Sequence, residues 1–341
     1  MNSFPWNGMN RVTLKRCALR FVAAGLASML LAGCQTLPDR APAGRIDAAS
    51  PRQGARAIDI EPGREVEAHL RERYDDAATD CGTPTAPAFV CSGIMVRGTG
   101  TSENYHSWDV NPNSPKAPNT SFSWLRQDAP HIRLAYEYAA GFIFYPDRYA
   151  DHHDLRPVNV LCAFPIDGVS DSRVATTDPP VEKGCGESTG YPATSRPCQS
   201  QGITTAAAWR THFDMAPTID TKMAHQCGFT VAEGTPDSAA IFMQSVIARE
   251  GLALPELDDK PNELVLQGWP AGTDGALPIE AFFYVSGTAN GKSDAQFIQR
   301  DFHEVTGRWI AIVQITMPAA DTGRITFAYH PSDQAIPEPV H

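Results

Sequence analysis

The pattern of apolar runs predicts an α+β chain. Short segments that are continuously apolar or alternate in period two recur along the chain, bounded by glycine and proline. Helical periodicity shows in few windows, so strands outnumber helices. Gly and Pro together make 54 of 341 residues, enough for many connecting loops.

Residues 1–33 read as a targeting segment outside the fold. Arg11, Lys15, Arg16 and Arg20 form a basic start, and residues 21–31 are apolar but too few for a stable span. The run closes on Leu31-Ala32-Gly33-Cys34, the small-residue pattern of a bacterial lipoprotein signal. Cleavage before Cys34 frees that cysteine for acylation and tethers the chain to the lipid bilayer. Gln35 rather than Asp follows, which points to the outer membrane or the surface, so a lipid-anchored place in the cell envelope is expected. Residues 34–62, rich in Pro, Ala, Gly and Arg, read as a flexible tether reaching roughly 30 Å. A single domain over 63–330 and a loose tail over 331–341 complete the expected organisation.

The elements follow in order. Residues 64–76 predict a helix, with Val66, Leu70 and Tyr74 at i, i+4 and i+8. Residues 89–99 read as a strand ending at Gly98 and Gly100, and 120–126 as the next. A short helix is expected over 131–140. Strands over 141–145 and 158–164 each end at a proline. Residues 165–200 read as an irregular, disulfide-pinned stretch. Thr204 or Thr205 caps a helix running to Phe213, and Asp237 or Ser238 one running to Glu250. A loop over 252–261 leads to strands at 263–268, 279–286, 309–317 and 324–329.

Charge and cysteine content narrow the function. The chain carries −11, and removing the four basic residues of the leader leaves 24 basic against 39 acidic residues, or −15. So acidic a chain offers no general nucleic-acid surface. Past Cys34 there are six cysteines: Cys81, Cys91, Cys162, Cys185, Cys198 and Cys227. An even number in an exported chain reads as disulfides. Sequence does not choose among the pairings; neighbour pairing (Cys81–Cys91, Cys162–Cys185, Cys198–Cys227) is the arrangement carried forward. No C-x-x-C pair exists and the spacings are irregular, so no metal site is expected. His152-His153 between Asp151 and Asp154 read as an exposed polar loop.

Three distant strand-like segments each present one kind of polar group. In Ile94-Met-Val-Arg97-Gly-Thr99 it is a guanidinium beside a glycine turn, able to fork onto a pyrophosphate. In Thr120-Ser121-Phe-Ser123-Trp124 two hydroxyls lie on one face, able to fix an arginine or a carboxylate. In Asn262-Glu263-Leu-Val-Leu266 a carboxylate enters an apolar run, which needs a partner or a task. Taken singly, each also reads as an ordinary surface residue.

In this order, arginine–Gly–Thr, Ser-x-Ser and glutamate, the chain resembles the arginine–serine–glutamate class of ADP-ribosyltransferase folds. From residue 91 to residue 317 it is also similar to the halovibrin-type secreted proteins. That likeness is carried by Cys91-Ser-Gly-Ile-Met-Val-Arg-Gly-Thr99, Tyr105-His-Ser-Trp108, Ser121-Phe-Ser-Trp124, Gly141-Phe-Ile-Phe-Tyr-Pro146, Ser200-Gln-Gly-Ile-Thr-Thr205, Gln226-Cys-Gly-Phe229 and Leu277-Pro-Ile-Glu-Ala-Phe-Phe-Tyr284. The resemblance implies a split β-sheet core and NAD as a substrate rather than a cofactor. NAD would be hydrolysed to nicotinamide and ADP-ribose, or its ADP-ribose transferred to an acceptor. It implies that Arg97 holds the phosphates and the nicotinamide-side ribose, that Ser121 or Ser123 supports the site, and that Glu263 bonds the ribose 2′-hydroxyl. Breaking a C–N glycosidic bond puts positive charge on C1′, which a fixed carboxylate stabilises. One departure counts: transferases of the class carry Glu or Gln two residues before the catalytic glutamate, and here Pro261 stands there. This favours water as the acceptor and leaves no acceptor protein assigned.

Other residues enter as substrate-binding candidates: Thr99 in the glycine turn, and His106 soon after it with Trp108 nearby. Trp124, Phe142 and Tyr145 are candidates for ring stacking, although aromatics at strand spacing are more often core. Glu280, flanked by Ile279 and Ala281, is the second choice for the catalytic acid. A rival reading is a non-catalytic envelope lipoprotein that binds a partner, for which Arg97 and Glu263 have no reason to converge.

Overall fold

The computed structural model describes residues 62–78, 88–102, 106–109, 119–129, 134, 138–144, 160–166, 197–218, 222, 225–231, 236–248, 261–267, 279–319 and 323–339. All fall in the compact unit Pro42–His341. The leader, Cys34, the tether up to residue 61, Cys81, Cys185, Tyr145 and His152–His153 lie outside the described residues. Among the described residues no helix is long and apolar enough to cross a membrane.

The expected α+β composition is present. Eight strands form one sheet: β1 (Ile94–Gly98), β2 (Asn119–Leu125), β3 (Ala140–Phe144), β4 (Val160–Phe164), β5 (Glu263–Gln267), β6 (Ile279–Val285), β7 (Ile312–Thr316) and β8 (Thr326–Tyr329), in the order β4-β5-β2-β1-β3-β6-β7-β8. All neighbours are antiparallel except β6 and β7. A parallel pair needs a crossover, and helix α5 (Gly291–Thr306) supplies it. Helices α1 (Gly63–Asp75), α2 (Ala88–Cys91), α3 (Ala206–Asp214) and α4 (Pro236–Ala248) complete the layers.

Two cores sandwich the sheet. One face packs Phe122, Trp124, Phe142 and Phe282 against Phe89 of α2, Trp209 and Phe213 of α3, Phe242 of α4, and Ile298 and Phe302 of α5. The other packs Ile94, Val96, Ile143 and Val313 against Val66, Leu70 and Tyr74 of α1, the stripe read from the sequence. The Thr205 cap is present, its hydroxyl accepting from the Ala208 N–H.

Several expectations change. Residues 89–99 are not one strand: Phe89 and Cys91 belong to the single turn α2, and Gly93 at φ 76° turns the chain into β1. A Cβ at Gly93 would meet the indole of Trp124, so the site demands glycine twice over. Helix α5 occupies a stretch given no element by the sequence reading. Its buried positions Ala295, Ile298 and Phe302 are spaced i, i+3, i+7, with Gly307 in the left-handed region closing it. Ala140, placed at the end of a helix from sequence, opens β3, and most of 131–139 lies outside the described residues. Helix α4 starts at Pro236, one residue before the expected caps.

The tail is not loose. Residues 331–333 form a 3-10 turn, and Asp333 is buried beneath it. Its carboxylate accepts from Lys292 Nζ and, at 2.6 Å, from the Tyr284 hydroxyl. Glu338 accepts from the Gly63 N–H at the start of α1 and from the Tyr329 hydroxyl. Pro331, Pro337 and Pro339 break any local period here, which concealed these long-range bonds from a local reading.

Cys198 and Cys227 form a disulfide, as neighbour pairing expects. Cys91 and Cys162 are also disulfide-bonded.

Candidate active site

The three polar segments converge on adjacent strands, in the order β5, β2, β1. Register fixes their relation. Ser121 faces Val265 and Phe122 faces Leu264, so continuing the ladder sets Ser123 beside Glu263. Ser121, Ser123 and Glu263 therefore share a face. The Ser121 hydroxyl donates to Glu263 Oε1. Glu263 is only 2 % exposed, and a carboxylate so buried depends on such donors.

Asn262 holds the start of β5 in place. Its side chain bonds both main-chain groups of Trp124, accepting from the N–H and donating to the carbonyl at 2.7 Å each. An amide that mimics a strand partner thus pins the residue next to Glu263. Sequence reading passed over Asn262, although its position at the mouth of an apolar run was a visible signal.

Arg97 arrives from the other side. Its partner across β3 is Phe142, which puts its Cα on the α5 face of the sheet, opposite to Glu263. The ladder between β1 and β2 covers Ile94 to Val96 and stops there, while the first half of β2 pairs with β5 instead. Into that opening the Arg97 guanidinium turns, donating from Nη1 to the main-chain carbonyl of Ser121 at 2.8 Å and passing over the Phe122 ring at 5.9 Å. Ser121 thus binds the guanidinium through its carbonyl and the acid through its hydroxyl. Gly141 lets β3 lie close against β1 here: a Cβ there would overlap the Arg97 main-chain carbonyl.

The remaining candidates separate. Thr99 is half-buried at the end of β1, its N–H donating to Ala140 O at 2.9 Å. Trp124 and Phe142 are fully buried in the core, Trp124 donating its indole N–H to Ser92 O, so neither offers a face to a ligand. Tyr138, unremarked in the sequence, is the exposed aromatic here: it is 38 % exposed and packs over Gly98.

Glu280 is committed elsewhere. The β3–β6 register slips between Ile143 and Phe144, which pair with Ala281 and Ile279, so Glu280 is the extra residue of a bulge. It forms a buried ion pair with Arg73 of α1 at 2.6 Å. A structural partner, not a substrate, explains this carboxylate. His106 and Trp108 likewise bind protein: His106 Nδ1 lies 2.9 Å from both carboxylate oxygens of Asp301, and the Trp108 indole donates to the same group at 2.7 Å. Asp301 had no signal in the sequence, because α5 itself was missed.

Compared with protein-family models and with curated proteins, the chain finds no match.

Proposed function

We propose that the chain is an NAD glycohydrolase, cleaving NAD to nicotinamide and ADP-ribose at Glu263. The single observation that carries this reading is the junction at Ser121, where a guanidinium and a buried carboxylate, 166 residues apart in sequence, meet at one residue. The opening between β1 and β2 supports the split-sheet, ADP-ribosyltransferase-like fold implied by the resemblance. In this reading Arg97 binds the pyrophosphate, Ser121 orients Glu263 with Ser123 beside it, and Glu263 faces the positive charge that grows on C1′ as the C–N bond lengthens. Burial strengthens that electrostatic contact. Water completes the reaction, because Pro261 supplies no side-chain group to engage another acceptor. The enzyme is anchored in the cell envelope through acylated Cys34.

The test is stoichiometry. The purified full chain is incubated with NAD, and nicotinamide and free ADP-ribose are counted. Equal yields without added acceptor support hydrolysis. Nicotinamide in excess of ADP-ribose points to transfer, and intact NAD removes the enzyme reading.

A further inference from the structure

Resting on that reading, we propose that Ser123 is a catalytic residue: its hydroxyl, facing Glu263, holds the water that attacks C1′. Two fixed points set the pair side by side. Phe122 pairs with Leu264, and the Asn262 side chain bonds both main-chain groups of Trp124. Ser123 and Glu263 stand between these points, directly across the ladder and on one face. Directly opposed Cβ atoms of neighbouring strands lie about 4.5–5.5 Å apart. At that spacing one water bridges a hydroxyl and a carboxylate.

The surroundings on these strands are apolar. In the same cross-strand row Val96 pairs with Ser123, and Phe164 with Glu263. Val265 is next on that face of β5. Beside the acid, Ser121 and Ser123 are thus the hydroxyls these strands offer, and the two are used differently. Ser121 donates to Glu263 Oε1. The Ser123 hydroxyl has no hydrogen-bond partner among the described residues, although Ser123 is only 6 % exposed. A hydroxyl so enclosed is costly unless something small bonds it. Water fits that requirement, and a side chain of an acceptor protein does not. The water donates one O–H to Glu263 and the other to Ser123 Oγ, which leaves an oxygen lone pair for C1′. As the C–N bond breaks, its electron pair passes to the nicotinamide ring. The water oxygen bonds C1′, and the proton it sheds goes to Glu263 and then to solvent.

The experiment is NAD cleavage by the full chain in buffer and in dilute methanol, with nicotinamide, ADP-ribose and its methyl riboside counted. Ser123→Ala is expected to lower kcat about 3- to 10-fold with KM unchanged, since one neutral hydrogen bond is lost. It is also expected to raise the ratio of methyl riboside to ADP-ribose by about 3-fold or more, because the alanine site no longer favours water over an alcohol. Ser123→Thr keeps the hydroxyl and is expected to restore the wild-type ratio. A merely structural serine changes melting and kcat but leaves that ratio alone. Wild-type kcat in Ser123→Ala, a loss carried by KM, or an unchanged ratio would overturn the proposal. So would a ratio altered equally in Ser123→Thr, or failure of Ser123→Ala to fold. The two readings fail separately. A wild type that leaves NAD intact ends the hydrolase reading and this assignment with it. Wild-type cleavage of NAD with any of the contrary Ser123 results ends the assignment alone.

Discussion

Ser121 binds a cation through its backbone and an acid through its side chain, so its substitution separates the two contacts. Ser121→Ala retains the carbonyl that Arg97 uses and deletes the hydroxyl held by Glu263. A hydrogen bond to a charged group contributes about 1.5–3 kcal/mol. Steady-state NAD cleavage is expected to lose about 10- to 100-fold in kcat with little change in KM. Glu280→Ala acts on stability. It strands the Arg73 guanidinium, whose surroundings are buried, and breaking such a pair costs about 3–5 kcal/mol. Chemical denaturation is expected to register that loss, while kcat per folded molecule stays at the wild-type value. From sequence the two glutamates read alike, each opening or entering an apolar strand. Only a bulge, set by register between distant strands, turns Glu280 towards α1.

At the scale of elements, the segment carrying α3 is held by local devices. The Cys198–Cys227 disulfide spans a sequence separation of 29, for which loop-closure entropy gives about 3–4 kcal/mol. Replacing both cysteines by serine is expected to lower denaturation stability by that amount. Within the loop His212 and His225 stack at 4.2 Å, and His212 Nε2 lies 2.9 Å from His225 O. Burial first, and the His212 ring second, hold His225 below its usual value. The native state thus takes up this proton less readily than the unfolded chain. Stability is complete above about pH 6.5 and declines as pH falls through the folded value. Melting curves followed from neutrality into mild acid are expected to show that decline, and His225→Gln to reduce it; an equal acid response in the variant contradicts the assignment. Elements with a period or a cap were legible: α1 from Val66, Leu70 and Tyr74, α3 from Thr205, and β1, β2 and β5 from their apolar runs. Helix α5 was as periodic, yet its three buried apolar positions, Ala295, Ile298 and Phe302, stand among Lys292, Asp294, Arg300 and Asp301, and the polar majority hid them.

Across the whole molecule, what escaped a local reading is long-range. The C-terminal residues tie α5, β6, β8 and the start of α1 through Asp333 and Glu338. Burial opposes ionisation of Asp333, yet bonds from Lys292 and Tyr284 hold its carboxyl below the usual value, and the same contact, with burial, pushes the Tyr284 hydroxyl up. Residue types at the candidate site were legible, since Arg97, Ser121, Ser123 and Glu263 each interrupt an apolar strand. Their meeting was not, because it depends on β2 changing partners halfway along its length. The central claim is that Glu263, and not Glu280, is the acid facing C1′. The most direct measurement is kcat for NAD cleavage by the wild type, Glu263→Gln and Glu280→Gln, with folding checked by melting. Loss of about 10²–10³ in Glu263→Gln, with Glu280→Gln near wild type, is the expected result. Full activity in Glu263→Gln, or inactivity confined to a folded Glu280→Gln, would contradict the account.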